Sequence, residues 1–431
     1  MPSDGLRRLL NVDNNTMVTV EELVSSLMRI KEEVLSNWDK IKDVNNIKPK
    51  ESALGAKMHY LRGFSLHFLV TTNATVNNAD QILAGFLISD ASPVKFGSTY
   101  AITLNSPDPR LAAALLITLI NYLNTNGVKD YVYITVSEGK TKVNASFKHI
   151  IEITGKLRDK IGKFIVDKEK AETLLNNPKV PDYLIPWLRD ALSNWDSIKV
   201  RKQVRFIYYA VNGLLGRASL FGWFLGDGVL GHVGRGSFDI GLSFVVDEPV
   251  RRFMGEFLCS VYGCSGSFFS GSSAKGSEHY VPCPVKALVI NDIAALANAW
   301  PAYGLTDRVI KLVDAVKYSI PCLSYAKYPV IDVLGHGLIL RKHNMGRGWY
   351  LARSTSNGGL AVAIFSDLRS AGFNVSLNRR GGGFEIYVPI EDTRRILRML
   401  GIYERFYGGP RRLPSLDEVV SVLRRYSIRR W

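Results

Sequence analysis

Two carboxylates stand out by what precedes them. Asp227 follows the apolar, glycine-punctuated run Leu220-Phe221-Gly222-Trp223-Phe224-Leu225-Gly226, and Asp90 follows Leu83-Ala84-Gly85-Phe86-Leu87-Ile88-Ser89 in the same way. Read as helices, the stretches place Gly222 and Gly226, or Gly85 and Ser89, four residues apart on one face, where two backbones can approach with no large side chain between them. Their remaining faces are apolar, so each helix should be buried all round. An acid at a helix C-terminus opposes the helix dipole at a cost of about 0.3–1 kcal/mol, so helix stability does not select it. Carboxylate oxygens are hard donors that suit Mg²⁺ better than Zn²⁺, which defines the chemistry a pair of them could support. The plainer reading, that Asp227-Gly228 is simply the turn ending its helix, loses ground because the arrangement occurs twice.

Leu83-Ala84-Gly85 reproduces the first three letters of a known motif, and the two nine-residue stretches together resemble the paired motifs of LAGLIDADG homing endonucleases. That resemblance implies two motif helices packed through their small residues, with Asp90 and Asp227 as catalytic metal ligands and Ala91 and Gly228 beside them in the metal site. It implies Mg²⁺ or Mn²⁺ as cofactor, double-stranded DNA (or RNA) as partner, and site-specific phosphodiester hydrolysis of the kind used in intron homing. With both motifs in one chain, it implies a monomer whose two halves read an asymmetric site through their sheets. Ala91 departs from the glycine usual in the family, a mild change if the backbone there has negative φ and a serious one if it does not.

The surrounding elements repeat as well. Leu35-Ser36-Asn37-Trp38-Asp39-Lys40-Ile41-Lys42 matches Leu192-Ser193-Asn194-Trp195-Asp196-Ser197-Ile198-Lys199 at seven of eight positions, and repeats of this kind point to duplication. These landmarks lie farther apart than the two motifs do, which places an insertion of about twenty residues at 45–75 in the first copy. After each acid come an alternating strand pattern and then an aspartate, Asp108 or Asp247, placed to cap a helix over 110–124 or 250–262. Gly127 and Gly263 should end those helices. Strand pairs follow at 131–136 with 142–153, and at 265–270 with 278–283. Upstream, Thr19-Val20-Glu21-Glu22 reads as a capping box opening an amphipathic helix through Leu23, Leu27, Ile30, Val34 and Trp38.

The fold class expected is α+β: tandem αββαββα units related by a pseudo-two-fold, with a C-terminal α+β extension. Residues 1–56 form an N-terminal helical segment, 57–190 the first unit, 191–327 the second, and 328–431 the extension. In that extension a helix over 360–371 and a hairpin around Arg379-Arg380-Gly381-Gly382-Gly383 suggest a truncated third unit, or an unrelated accessory DNA-binding domain. Leu334-Gly335-His336-Gly337 echoes Leu225-Gly226-Asp227-Gly228 with His in place of the acid.

Among the 431 residues, 55 Lys and Arg stand against 39 Asp and Glu, a formal net charge of +16 that calls for a polyanionic partner. Lys95, Lys140, Lys142, Lys148, Arg235 and Lys275 lie on or between candidate strands, and Arg379 and Arg380 on a hairpin, where they would contact phosphates or simply be solvated. The resemblance adds a basic or amide residue assisting the water, with Lys148 and Lys275 as loose candidates. No apolar run reaches the ~20 residues of a bilayer span, and the chain is expected to be soluble and intracellular. Cys259, Cys264, Cys283 and Cys322 form no C-x-x-C pair, so zinc is not expected and buried free thiols are, with a bridge from Cys259 to Cys264 or Cys283 only in an oxidising compartment or a hyperthermophile. The competing functional reading is a catalytically inactive nucleic-acid binder on the same scaffold, an RNA maturase or a DNA-binding regulator.

Overall fold

The computed structural model describes residues 16–36, 49–51, 57–60, 66–96, 99–106, 108–127, 132–140, 145–153, 158–231, 239–244, 246–262, 269–273, 276–280, 289–290, 292–295, 306–318, 330–343, 348–407, 417 and 421–422. They form two compact bodies, residues 1–229 with 241–309, and residues 310–431 with 230–240. The architecture is mixed helix and sheet throughout.

The first body begins with β1 (Thr16–Thr19), a strand the sequence did not announce, and α1 (Val20–Ser36). Glu22 N–H donates to Thr19 Oγ1 at 3.3 Å and Thr19 N–H to Glu22 Oε2 at 2.7 Å, the reciprocal capping box expected there, and these bonds hold the Glu22 carboxyl below its ordinary value. Leu23 and Leu27 are buried; Trp38 lies outside the described residues. The stretch expected to be an insertion contributes β2 (Pro49–Glu51), β3 (Lys57–Tyr60) and β4 (Leu66–Thr71). β4 runs parallel to β1 and antiparallel to a later strand, which makes it part of the sheet.

The first motif helix, α2 (Ala79–Ile88), leads into β5 (Ala91–Phe96) and β6 (Thr99–Ser106), then α3 (Pro109–Thr125), β7 (Val132–Lys140) and β8 (Ala145–Ile153). The sheet order is β1-β4-β7-β8-β6-β5, with β3 also on β7. Asp108 caps α3 by accepting from Arg110 N–H at 3.0 Å, and Gly127 follows it at φ 75°, both as expected.

Then come α4 (Ile185–Ser193), α5 (Ile198–Val211) and the second motif helix, α6 (Ser219–Asp227). The repeated Leu192–Lys199 stretch is the corner between α4 and α5, where Ser197 Oγ accepts from Val200 N–H at 3.4 Å. β9 (Gly228–Gly231), β10 (Asp239–Phe244), α7 (Glu248–Tyr262), β11 (Phe269–Ser273) and β12 (Gly276–Tyr280) follow, with sheet order β11-β12-β10-β9. This order equals β7-β8-β6-β5 of the first sheet. α8 (Asp307–Tyr318) comes next.

Asp247 stands directly before α7, as expected, with its carbonyl accepting from Arg251 N–H at 2.9 Å, and its carboxylate has a further role. Its carboxylate accepts from Lys199 Nζ at 2.6 Å, Gln203 Nε2 at 3.1 Å and Trp187 Nε1 at 3.1 Å, tying α4 and α5 to the start of α7. These donors hold its carboxyl below the ordinary value against the opposing effect of burial. The expectation of free thiols fails at Cys259, which is disulfide-bonded. Gly263 lies outside the described residues.

The second body contains β13 (Val330–Val333), β14 (His336–Lys342), β15 (Trp349–Thr355), α9 (Gly358–Ser370), β16 (Ser376–Arg380), β17 (Gly383–Val388) and α10 (Ile390–Met399), in the sheet order β13-β14-β15-β17-β16. Its core forms between the sheet and the two helices, around Leu338, Leu351, Ile364, Leu368, Ile386 and Ile396. Arg379 and Arg380 are the last residues of β16, and the hairpin turn is Gly381-Gly382, inside the five-residue stretch expected from sequence, with the strands reaching further into it.

Candidate metal centre

The site is built on the contact between α2 and α6. A Cβ added to Gly85 would stand 2.0 Å from Ser219 O and 2.9 Å from Trp223 N; one added to Gly222 would stand 2.1 Å from Ile82 O and 2.9 Å from Phe86 N. Gly85 and Gly222, Ile82 and Ser219, and Phe86 and Trp223 are each 137 positions apart, the spacing of the two motifs, so the approach is reciprocal residue for residue. Near the acidic ends, a Cβ on Gly226 would lie 2.0 Å from Ser89 Oγ, and Ser89 Oγ itself donates to the carbonyl of Gly85 or Phe86 at 3.0 Å. Only residues without side-chain bulk permit helices this close.

The rest of each helix is core. Ile82, Leu83, Phe86, Leu87 and Ile88 are fully buried, and Leu220, Phe221, Trp223, Phe224 and Leu225 nearly so. Each large apolar side chain buried in this way stabilises by about 1.5–3 kcal/mol, so an unfavourable acid–dipole contact of about 0.3–1 kcal/mol is readily tolerated at each end.

Asp90 and Asp227 therefore stand side by side, their side chains 30% and 26% exposed. Burial pushes the Asp90 carboxyl up to about 7, and the Asp227 charge and a hydrogen bond with Asp227 add to the shift, while Arg308 and Lys202 oppose it. A carboxylate raised in this way by burial and by a second carboxylate is short of positive charge. Hard oxygen donors in that condition fit a small divalent cation, with Asp90 and Asp227 as the residues to hold it. Among the described residues no group of three or more His, Cys, Asp or Glu side chains forms a further metal cluster.

Ala91 is buried and opens β5, paired with Leu104. Gly228 has φ −65°, which any residue adopts, so the backbone at the equivalent position does not require glycine; what excludes a side chain at 228 is space, since a Cβ there would meet Phe224 O at 2.3 Å.

Three cations missed by the sequence reading complete the site. On α5, Lys202 Nζ lies 3.9 Å from Asp227 Oδ2, and one turn on, Arg205 Nη1 donates to Leu87 O at 2.9 Å. On α8, Arg308 donates from Nε to Gly228 O at 3.0 Å and from Nη1 to Leu225 O, and Nη1 lies 3.6 Å from Asp90 Oδ2. Each flanking helix thus caps the end carbonyls of one motif helix and sets a positive charge beside the acid of the other. The one sequence signal was Lys202 and Arg205, three apart in a helix that otherwise buries Val204, Phe206 and Ile207.

The basic residues predicted from sequence fall on several elements. Lys95 sits in β5 opposite Tyr100, Lys140 in β7 opposite Ala145, and Lys148 in β8 between Ser137 and Asn105. Lys142, Arg235 and Lys275 lie outside the described residues. Arg379 is exposed on β16, and Arg380 pairs with Glu385 at 3.1 Å. No helix among the described residues is long and apolar enough to cross a membrane.

No protein-family model and no curated protein sequence matches the chain. Solved structures to which it is similar include the homing endonuclease I-WcaI bound to its DNA recognition sequence, at 13% identity and a TM-score of 0.32 over 51% of this chain and 81% of that one. They also include the meganuclease I-SmaMI bound to uncleaveable DNA with a TTGT central four, at 14% identity and 0.26 over 54% and 84%. The I-SmaMI LAGLIDADG homing endonuclease bound to cleaved DNA is similar at 14% identity and 0.24 over 54% and 84%.

Proposed function

We propose that this chain is a site-specific, Mg²⁺-dependent DNA endonuclease of the homing type, acting as a monomer with one acid from each motif helix. The observation that carries the reading is the pair Asp90 and Asp227, set side by side by two helices whose glycines interlock reciprocally. The shared strand order β7-β8-β6-β5 and β11-β12-β10-β9, each directly after its acid, supports two tandem αββαββα units.

Asp90 and Asp227 would hold Mg²⁺ or Mn²⁺, whose chemistry when bound is to acidify a water and offset phosphate charge. The chain's own residues do the rest. Arg308 is fixed by two helix-end carbonyls and keeps its guanidinium beside Asp90, where it lowers the proton affinity of that carboxylate and favours the ionised donor. Lys202 sets a second positive charge 3.9 Å from Asp227 Oδ2. Both side chains are about one-third exposed, at 31% and 34%, and so can also meet a scissile phosphate.

A second reading, a nucleic-acid binder without cleavage, is favoured by the fact that each acid already has a cation of the chain near it. The test is cleavage of a randomised duplex library by the purified chain with Mg²⁺, beside Asp90→Asn and Asp227→Asn. Recurrent cuts at one long site that both variants abolish support the nuclease; salt-sensitive binding with no Mg²⁺-dependent cutting supports the binder.

A further inference from the structure

The C-terminal body has the sheet of the other two units and lacks their chemistry. Its strand order β14-β15-β17-β16, with α9 between β15 and β16, repeats β5-β6-β8-β7 with α3 and β9-β10-β12-β11 with α7. In the first two an acid ends the motif helix directly before the first strand. In the third, that place is a two-residue hairpin, Leu334 and Gly335 at φ 57° and 83°, joining β14 to β13. His336, which the sequence echo aligns with Asp227, opens β14, and its Nε2 is 2.7 Å from Asp367 Oδ2 on α9. Among its described residues no motif helix delivers a carboxylate directly before β14, so they hold no counterpart of the acid pair proposed above.

What it does have is charge. Residues 310–431 contain 20 Lys and Arg, 16 of them Arg, against nine Asp and Glu: +11 of the chain's +16. Its sheet also has a second face, half-buried at its centre and exposed at the β16 edge. α9 and α10 cover one side, where Leu338, Leu340, Leu351, Ile386 and Val388 are buried. The alternate positions, on the other side, put Arg341 opposite Tyr350, Ala352 opposite Tyr387, and Asn378 opposite Glu385. The rings of Tyr350 and Tyr387 lie 5.1 Å apart. Glu385, 8% exposed, sits between two guanidinium groups, Arg380 at 3.1 Å and Arg341 at 3.7 Å, and Arg341 Nε is buried with no partner. One acid thus orients two arginines on one face and neutralises only one of them. Arg380 remains 77% exposed, with donors left for a second anion.

The geometry points to a docking surface for the backbone of duplex DNA on the face of this sheet away from α9 and α10, centred on its exposed β16 edge, with Arg341 and Arg380 on phosphates and the tyrosine pair beside them. The inference rests on reading the chain as a DNA enzyme and adds where its second hold on the duplex lies. Fixed guanidinium groups, Tyr hydroxyls and Asn amides are the side chains that position proteins on phosphates without reading sequence.

The test uses the full chain without Mg²⁺, binding a random-sequence duplex in a fluorescence-anisotropy titration across salt concentrations. Arg341→Gln/Arg380→Gln is compared with Arg341→Gln/Arg380→Gln/Glu385→Gln, which leaves no unpaired acid, and with the helix-side control Arg369→Gln/Arg398→Gln. Both sheet variants should flatten the slope of log affinity against log salt by about 0.9 for each phosphate no longer neutralised, with affinity falling about tenfold or more near 0.1 M salt, while the control binds as wild type. Equal effects from sheet and control pairs, no effect from the sheet variants, or tighter binding to folded RNA than to duplex would overturn the assignment. Mg²⁺-dependent cutting is scored separately: a chain that cuts while its sheet variants bind normally loses this inference alone. A chain that does not cut, yet binds through the sheet, loses the nuclease reading alone.

Discussion

The interlocked glycines permit a prediction that separates backbone crowding from side-chain crowding. In Gly222→Ala the new Cβ would sit 2.1 Å from Ile82 O, where ordinary contact begins near 3.4 Å, so α2 and α6 must part by about 1.3 Å. Overpacking on this scale costs about 1–3 kcal/mol. A gap of 0.5–1 Å also forfeits a quarter to a half of the dispersion well for the neighbouring atoms. The alanine returns about 1 kcal/mol of helix propensity. The net expectation is a loss of about 2–4 kcal/mol, and Gly85→Ala, facing Ser219 O at 2.0 Å, should lose as much. Trimming Ile82 gives no relief, because the obstacle is a carbonyl. Gly226→Ala differs, since its clash is with the Ser89 side chain, Oγ at 2.0 Å and Cβ at 2.6 Å. Combining it with Ser89→Gly removes both atoms and should recover most of the loss, less about 1 kcal/mol for the hydrogen bond that Ser89 Oγ gives up. Urea titrations of the four proteins, with hydrogen exchange of the α2 and α6 amides to assign the transition, provide the readout. Neutral Gly222→Ala, or a double variant no better than Gly226→Ala alone, would refute the geometry on which the carboxylate pair depends.

Other expectations follow from the charges. Because the folded-state pKa of Asp90 is raised, the unfolded chain releases that proton first; metal-free wild type should lose about 2–4 kcal/mol as pH rises from about 4 to about 7 and then level off. Asp90→Asn should match wild type near pH 4 and melt higher at pH 8 without Mg²⁺, whereas Mg²⁺ should raise the melting temperature of wild type alone. Asp247→Ala strands Lys199, Gln203 and Trp187 and should cost about 1.5–3 kcal/mol. Its lowered pKa makes the wild-type contribution disappear below about pH 4, so the two proteins should converge in acid denaturation. Arg308→Gln should slow cleavage about 10²-fold in single-turnover assays while duplex affinity changes little, a pattern that a purely structural defect would not give.

The motif helices were legible because their requirements are local. Two backbones in contact demand small residues four apart, and that demand is written into Gly85, Ser89, Gly222 and Gly226. Caps were half legible. Both Asp108 and Asp247 stand at the start of their helices, but the Asp247 carboxylate also takes three donors from more than forty positions upstream, and no local pattern announces such partners. β1 and β4 were missed because a parallel pair joins distant segments and leaves no hairpin signal. The cations at the site were missed for a related reason: Arg308 serves helix ends some eighty positions earlier, and its position beside Asp90 exists only after folding. Lysines on candidate strands were named instead because composition draws attention to charge.

The order in which the site's charges occur along the chain also bears on its assembly during synthesis. Asp90 comes first, then Lys202 and Arg205, then Asp227, and Arg308 last. Arg205 can therefore seat on the Leu87 carbonyl while α6 is still unmade, so the first motif helix has a finished end before its partner arrives. Between the emergence of Asp227 and that of Arg308, a nascent chain holds two carboxylates with only Lys202 beside them. Helix pairing in that interval works against charge repulsion, and residue 308 is the latch that closes it. A ribosome-stalled chain ending before residue 308 should thus hold α2 and α6 more loosely than one ending after α8.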